Sequence, residues 1–154
     1  MSFDGDHGAA NAFLAAFDTF VQAVRRARGA PARGGERELT LSQYALLAGL
    51  SERHGARVRE LARDAGITAS TATRILDALE RREIVRRDRA AEDRRAVTVT
   101  LTDHGRALLS EQDGWVRTRT LGFYENLPDH ERAMVPDLLV RLAGLIDDLA
   151  AGPE

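Results

Sequence analysis

Apolar and polar positions along the 154 residues change period twice, from helical to alternating and back. Phe13, Phe17, Phe20, Val21 and Val24 recur every three or four residues. That spacing predicts an amphipathic helix over about 10–28, with residues 1–9 frayed ahead of it. GAPARGGE at 29–36 breaks the pattern with Gly and Pro. Leu41, Tyr44, Ala45, Leu47 and Leu50 then form the apolar face of a second helix, which Thr40 and Ser42 are placed to cap.

Two short helices follow. Residues 56–66 carry Val58, Leu61, Ala62 and Ala65 on one side and close on Gly66. Residues 67–82 start from Thr68 as N-cap and bury Ala72, Ile75, Leu76 and Leu79. The opposite face shows Ser70, Thr71, Thr73, Arg74 and Asp77. Two short helices, a glycine turn and a polar second helix are the parts of a helix-turn-helix.

The period then drops to two. Ile84–Arg89 and Arg95–Leu101 read as strands joined by a turn at 90–93. Val97, Val99 and Leu101 are expected on one face of the hairpin, and Ala96, Thr98 and Thr100 on the other. Thr102 caps a helix that runs to about Tyr124. Leu127-Pro128 breaks it, and a last helix spans about 129–149 on the stripe Leu138, Leu142, Leu145, Ile146 and Leu149. Pro136 predicts a kink there. The fold class is mainly α with one small β-hairpin.

Composition narrows the chemistry. Cysteine is absent, which excludes disulfides, thiolate catalysis, thiol redox sensing and cysteine-bound zinc in these residues. His7, His54, His104 and His130 are scattered, so no metal site is expected. No catalytic triad, phosphate-binding glycine loop or paired carboxylates stand out, and neither enzymatic activity nor a cofactor is expected. No apolar run approaches the roughly 20 residues of a membrane span. The start MSFDGDHGAANAF has acids where a secretory signal has positive charge, so a cytoplasmic location is expected.

Charge is unevenly placed. All 22 basic residues are Arg. Residues 53–95 hold 12 of them against 8 acids, an excess of +4; the rest of the chain balances to −6, for −2 overall. A basic segment on an acidic chain suits a nucleic-acid contact surface. The hairpin directly follows the polar helix, which makes it a wing. Its Arg-rich tip is suited to phosphates and the minor groove, because guanidinium donors match phosphate geometry. The expected DNA contacts are Thr68, Ser70, Thr71, Thr73 and Arg74 on the helix and Arg89, Arg94 and Arg95 on the wing, with Asp93 orienting an arginine at the tip. Arg74 is the expected base reader, through guanine O6 and N7. Of Arg86, Arg87 and Arg89, some are left to solvent or to pairing with Asp88 and Glu92.

LTLSQYALLAGL, VRELARDAGITASTATRILDALERREIVRR and DRRAVTVTLTDHGRALL together resemble the MarR family of winged helix-turn-helix transcription regulators. The similarity runs from about Leu39 to Leu109. Its most specific part is Asp93-Arg94-Arg95, an alternating strand, and Leu101-Thr102-Asp103-His104-Gly105. One departure is Glu83, where the family has Gly between recognition helix and wing; it suggests a different exit from the helix.

The resemblance implies dimerisation helices at 10–38 and 103–150 around a DNA-binding lobe at 39–102. It implies a homodimer on a pseudo-palindromic operator, mostly repressing, and released by a small aromatic or phenolic effector. Phe13, Phe20, Leu138, Leu142, Leu145 and Leu149 are the expected interface. Phe13, Phe17 and Tyr44 are the expected effector contacts. Two alternatives stay open: a constitutive regulator or activator without ligand, and a winged helix used as a protein-interaction module.

Overall fold

Capping residues decide where the helices begin and end. The computed structural model describes residues 4–29, 39–51, 53, 55–89 and 97–152. The elements in chain order are α1 (Asp4–Gly29), α2 (Leu41–Ser51), α3 (Val58–Asp64), α4 (Ala69–Arg81), β1 (Val85–Arg89), β2 (Val97–Leu101), α5 (Asp103–Glu125) and α6 (Asp129–Ala151). The chain divides into two units, Met1–Gln112 and Asp113–Glu154. Among the described residues no helix is long and apolar enough to cross a membrane.

α1 is already helical at Asp4, ahead of the expected start near residue 10. Ala9 and Ala10, strong helix formers, carry the helix back from its apolar stripe. α2 opens on a reciprocal cap: Gln43 N donates to Thr40 Oγ1 (3.1 Å) and Thr40 N to Gln43 Oε1 (2.9 Å). Ser42 is not a cap. Its hydroxyl donates to the Arg28 carbonyl at the end of α1 (3.0 Å), tying the two helices together. Helix α6 runs through Pro136 without interruption, so the expected kink does not break it.

The core of the first unit is apolar and dry. Leu46, Leu47 and Leu50 of α2 meet Leu61 of α3, Leu76 and Leu79 of α4, Ile84, Val85 and Val99, all within 2% of full burial. Leu108 and Leu109 of α5 close one side. Leu46 lies off the stripe expected for α2, which is therefore buried around more of its circumference. No buried side-chain nitrogen or oxygen among the described residues lacks a partner.

β1 and β2 pair antiparallel, with Val85 opposite Leu101, Arg87 opposite Val99 and Arg89 opposite Val97. A third chain segment joins them: Ala56 N donates to Val99 O (3.1 Å) and Val99 N to Ala56 O (2.9 Å). The alternation predicted for the second strand is present, except that Val97, beside the tip, is 47% exposed while Val99 and Leu101 are buried.

The two helices of the helix-turn-helix end in the same way. Gly66 N donates to Arg63 O (3.0 Å) and Ile67 N to Ala62 O (2.9 Å), with Gly66 at φ 64°. In α4, Glu83 N donates to Glu80 O (2.9 Å) and Ile84 N to Leu79 O (3.0 Å), with Glu83 at φ 55°. Both are Schellman turns, which place one residue in the left-handed region. The expectation of a different exit at Glu83 is therefore corrected. The backbone takes the conformation a glycine favours, because Ile84 must turn into the core and the Glu83 carbonyl must meet the Thr102 hydroxyl (2.6 Å).

Candidate nucleic-acid interface

The first turn of α4 is held by its own hydroxyls. Thr68 Oγ1 accepts from Thr71 N (3.2 Å), donates to Thr71 Oγ1 (2.9 Å) and lies 3.0 Å from Ser70 Oγ. Thr73 Oγ1 donates to the Ala69 carbonyl (2.9 Å). Thr68 and Thr73 have thus spent their protons within the helix, and only their lone pairs remain for a ligand. Ser70 is exposed and Thr71 half-buried. Arg74 is exposed one turn further on, and among the described residues it has no hydrogen-bonding or ion-pair partner. Arg74 thus offers five guanidinium donors on a face whose Thr68 and Thr73 hydroxyls are engaged within the helix.

Cationic side chains of β1 diverge sharply in role. Arg89 is exposed and without a partner among the described residues. Asp93, Arg94 and Arg95 lie outside the described residues. Arg86 projects from the outer face of the hairpin, where its Nε donates to Asp88 Oδ2 (2.8 Å) and Thr100 Oγ1 (3.2 Å).

Arg87 faces the other way, onto α4. Its Nη2 meets Asp77 Oδ1 at 2.7 Å and its Nη1 meets Glu80 Oε2 at 2.6 Å. Its backbone N–H also donates to Glu80 Oε1 (3.2 Å). Burial works against the charged guanidinium, but the hydrogen bond to Asp77 and the charge of Glu80 outweigh it, and the pKa is raised above its ordinary value. This triad was not legible in sequence. Asp77 and Glu80 sit one turn apart on α4, but the partner that unites them is set by how β1 packs.

The Leu-Thr-x-x-Gly motif is the joint between wing and α5. Thr102 N donates to Ile84 O (3.1 Å), and its hydroxyl reaches the Glu83 and Ile84 carbonyls while accepting from Gly105 N (2.9 Å). A Cβ on Gly105 would stand 2.0 Å from the Ile84 carbonyl oxygen. Only glycine lets the first turn of α5 approach the backbone that follows α4.

A hollow of about 360 Å³ opens on the outer face of the hairpin, with Arg53, Arg86, Arg106 and Thr100 among its walls. Each guanidinium already holds a carboxylate: Arg53 with Asp64 (3.0 Å), Arg86 with Asp88 (2.8 Å) and Arg106 with Asp103. Its positive charge is thereby compensated. Among the described residues no group of three His, Asp or Glu side chains converges as metal ligands would.

The MarR family model matches residues 39–97, the segment that runs from the cap of α2 to the start of β2. Residues 39–97 form a MarR-family domain. Around this MarR-family domain the likeness extends further. The HTH-type transcriptional regulator TtmR of Methylorubrum extorquens is 36% identical over 114 residues, covering 74% of this chain and 56% of TtmR. This chain thus spans little more than half of that relative. The MarR family transcription regulator SP03579 superposes with a TM-score of 0.80 at 22% identity, over 97% of this chain and all of that one. The transcriptional repressor CouR, bound to a 23-mer DNA duplex, gives a TM-score of 0.61 at 29% identity over 90% and 91% of the two chains. The fold of the MarR-family domain and of the helices beside it is that of winged-helix regulators.

The remaining expected sites lie on α1 and α6, which flank this MarR-family domain, and on α2 within it. Phe13 and Phe17 stack on α1, with centroids 6.0 Å apart at 24°. Phe13 is exposed and Phe17 half-buried. Tyr44 of α2 packs against the lobe's core. On α6, Leu138, Leu145 and Leu149 are exposed and Leu142 is half-buried. Leu139 (55% exposed) and Val140 (72%) extend this apolar surface beyond the predicted stripe.

Proposed function

We propose that the protein is a homodimeric, sequence-specific DNA-binding transcription regulator acting in the cytoplasm as a repressor, with no catalytic role. The observation that carries this reading is Arg74, without a partner among the described residues on the exposed face of a capped helix inside a MarR-family domain. Ser70 and Thr71 stand beside it as phosphate or base contacts, Thr68 and Thr73 offer lone pairs, and Arg89, Arg94 and Arg95 supply wing cations to the backbone and minor groove. Asp93 orients one of those tip arginines.

Dimerisation follows from apolar surface. Phe13 and Phe20 on α1 and Leu138, Leu142, Leu145 and Leu149 on α6 form the interface of two copies, because a stable monomer seldom leaves such continuous stripes to water. Each copy then presents one α4 to half of a pseudo-palindromic operator. A small aromatic or phenolic anion, contacted by Phe13, Phe17 and Tyr44, favours the dimer shape with the wrong spacing of the two α4 helices. It weakens DNA binding by its differential affinity, typically ~1–3 kcal/mol.

The test is selection of bound duplexes from a random library, followed by titration at several salt concentrations. Arg74→Ala costs roughly 1–3 kcal/mol on the selected sequence and less on random DNA, as a base contact must. Arg94→Ala and Arg95→Ala weaken both and flatten the log–log salt slope by about one unit for each phosphate they no longer neutralise. A wild-type protein that enriches no sequence removes the reading. An aromatic-acid panel that leaves operator affinity and melting temperature unchanged removes only the effector, leaving a constitutive regulator.

A further inference from the structure

We propose that Arg87 is a positioning residue that sets the pitch of the wing over α4, through Asp77 and Glu80, so that it governs DNA affinity without touching DNA. The proposal rests on the DNA-binding reading above.

The physical basis starts from strand geometry. Val99 spends its N–H and carbonyl on Ala56, so its pairing with Arg87 across the hairpin is of the type without direct hydrogen bonds. The Arg87 N–H therefore points away from β2, along the open edge of the sheet, where an unpaired amide would seek another strand. Glu80 covers it. One carboxylate oxygen takes the Arg87 amide and the other takes the Arg87 guanidinium. Asp77, one turn earlier on α4, takes the second guanidinium nitrogen. Backbone and side chain of one strand residue are thus fixed to two points of the recognition helix.

The arrangement differs from that of the other paired arginines around the hairpin. Arg53, Arg86 and Arg106 pair with acids from exposed positions, whereas the Arg87 side chain is only 24% exposed and bridges two elements. Its position on the chain matters too. Arg87 lies on β1 between the buried Val85 and the turn of the hairpin, so the clamp ties the strand to α4 on the tip side of the core. A small change of angle there displaces the tip by a larger distance. Arginine is needed because its planar fork serves two carboxylates at once. Arg87 itself is not available to phosphate, since both terminal nitrogens face α4.

The experiment uses the full chain. Backbone hydrogen exchange is measured over 85–89 and 97–101, and titrations are made on the selected operator. The variants are Arg87→Ala, Arg87→Lys, the pair Asp77→Asn with Glu80→Gln, and each on a background of Arg94→Ala with Arg95→Ala. We expect faster hairpin exchange in Arg87→Ala and in the Asn/Gln pair, and roughly tenfold weaker operator binding in both, within the range by which such networks couple. Arg87→Lys falls between, keeping the charge but losing the fork. On the background without tip arginines the penalty disappears, because the lever then carries nothing to misplace.

Full additivity on that background overturns the proposal. So does an Asn/Gln pair that binds DNA like wild type while Arg87→Ala does not, which would mean that Arg87 meets phosphate directly. Wild-type exchange rates in Arg87→Ala overturn the clamp whatever the DNA result. If the wild-type protein binds no DNA but exchange quickens as expected, the regulator reading has failed, the clamp survives as a structural joint, and its role in affinity is refuted.

Discussion

The winged lobe and the second unit bury their leucines to opposite extents. In the lobe, Leu46, Leu47, Leu61, Leu76 and Leu79 are fully enclosed by their own chain. In α6, Leu138, Leu139, Leu145 and Leu149 stay in water, and no residue of the helix is buried. Composition does not separate them, since both are rich in Leu. What differs is whether the apolar stripes of neighbouring elements converge. α2, α3, α4 and the hairpin follow one another over short connections and share one core, while α6 is one long helix with little chain of its own unit to cover it. A stripe is a demand for cover, and the demand in α6 is met by a second copy under the dimer reading.

That contrast breaks most visibly under truncation. Leu76→Ala should cost ~2–5 kcal/mol, the range for emptying a closed core, read as a lower urea midpoint with unchanged slope. Leu138→Ala should cost little when the protein is dilute and more when it is concentrated, because stability held by a second copy depends on mass action. A Leu138→Ala penalty that is large and independent of concentration would mean that α6 is covered by its own chain. Sedimentation of the wild type at micromolar concentration should give twice 16.9 kDa.

Gly105→Ala sharpens the comparison from the other side. Its Cβ would collide with the Ile84 backbone, which cannot swing away as a side chain does. Overpacking of this kind costs ~1–3 kcal/mol or more and should also disturb DNA binding, since the same joint holds the end of α4 and the hairpin. Gly144→Ala in α6 meets nothing within 4 Å and should be stabilising by roughly 0.5–1 kcal/mol as an ordinary helix substitution. Thermal melting of the two variants separates a lobe packed to the backbone from a helix with room around it.

The smallest expected effect is at the end of α4. Glu83 holds a left-handed conformation that costs a side-chain-bearing residue roughly 1 kcal/mol relative to glycine. Glu83→Gly should raise the lobe's stability by about that amount, while Gly66→Ala, at the matching turn of α3, should lower it by a similar amount. Equal melting temperatures for wild type and Glu83→Gly would mean that another interaction of Glu83 compensates the strain.

Much of the fold is legible because it is encoded over short spans. Thr40, Thr68 and Gly66 mark helix limits through bonds reaching at most five residues. The switch from helical to alternating apolar spacing located the hairpin, and the motif around Thr102 located the start of α5. Of the candidate interface the sequence shows an outline, a polar helix face followed by an arginine-rich hairpin. The detail was not legible. Arg87 and Arg89 look alike in sequence, yet one is clamped to two carboxylates of α4 and the other is exposed, with no partner among the described residues.

By itself, then, the sequence determined the order of elements, their caps, and which faces are apolar, since local hydrogen bonds and side-chain periodicity act between near neighbours. Only the tertiary structure decided the rest. It pairs Ala56 with Val99 as a third strand segment, forces Glu83 into a glycine's conformation, and leaves no space for a Cβ at Gly105. It also gives Arg87 to the carboxylates of α4. Each of these depends on where a segment distant in the chain comes to rest, and closure of the core around Ile84 and Val99 sets those positions. No spacing along the sequence records it.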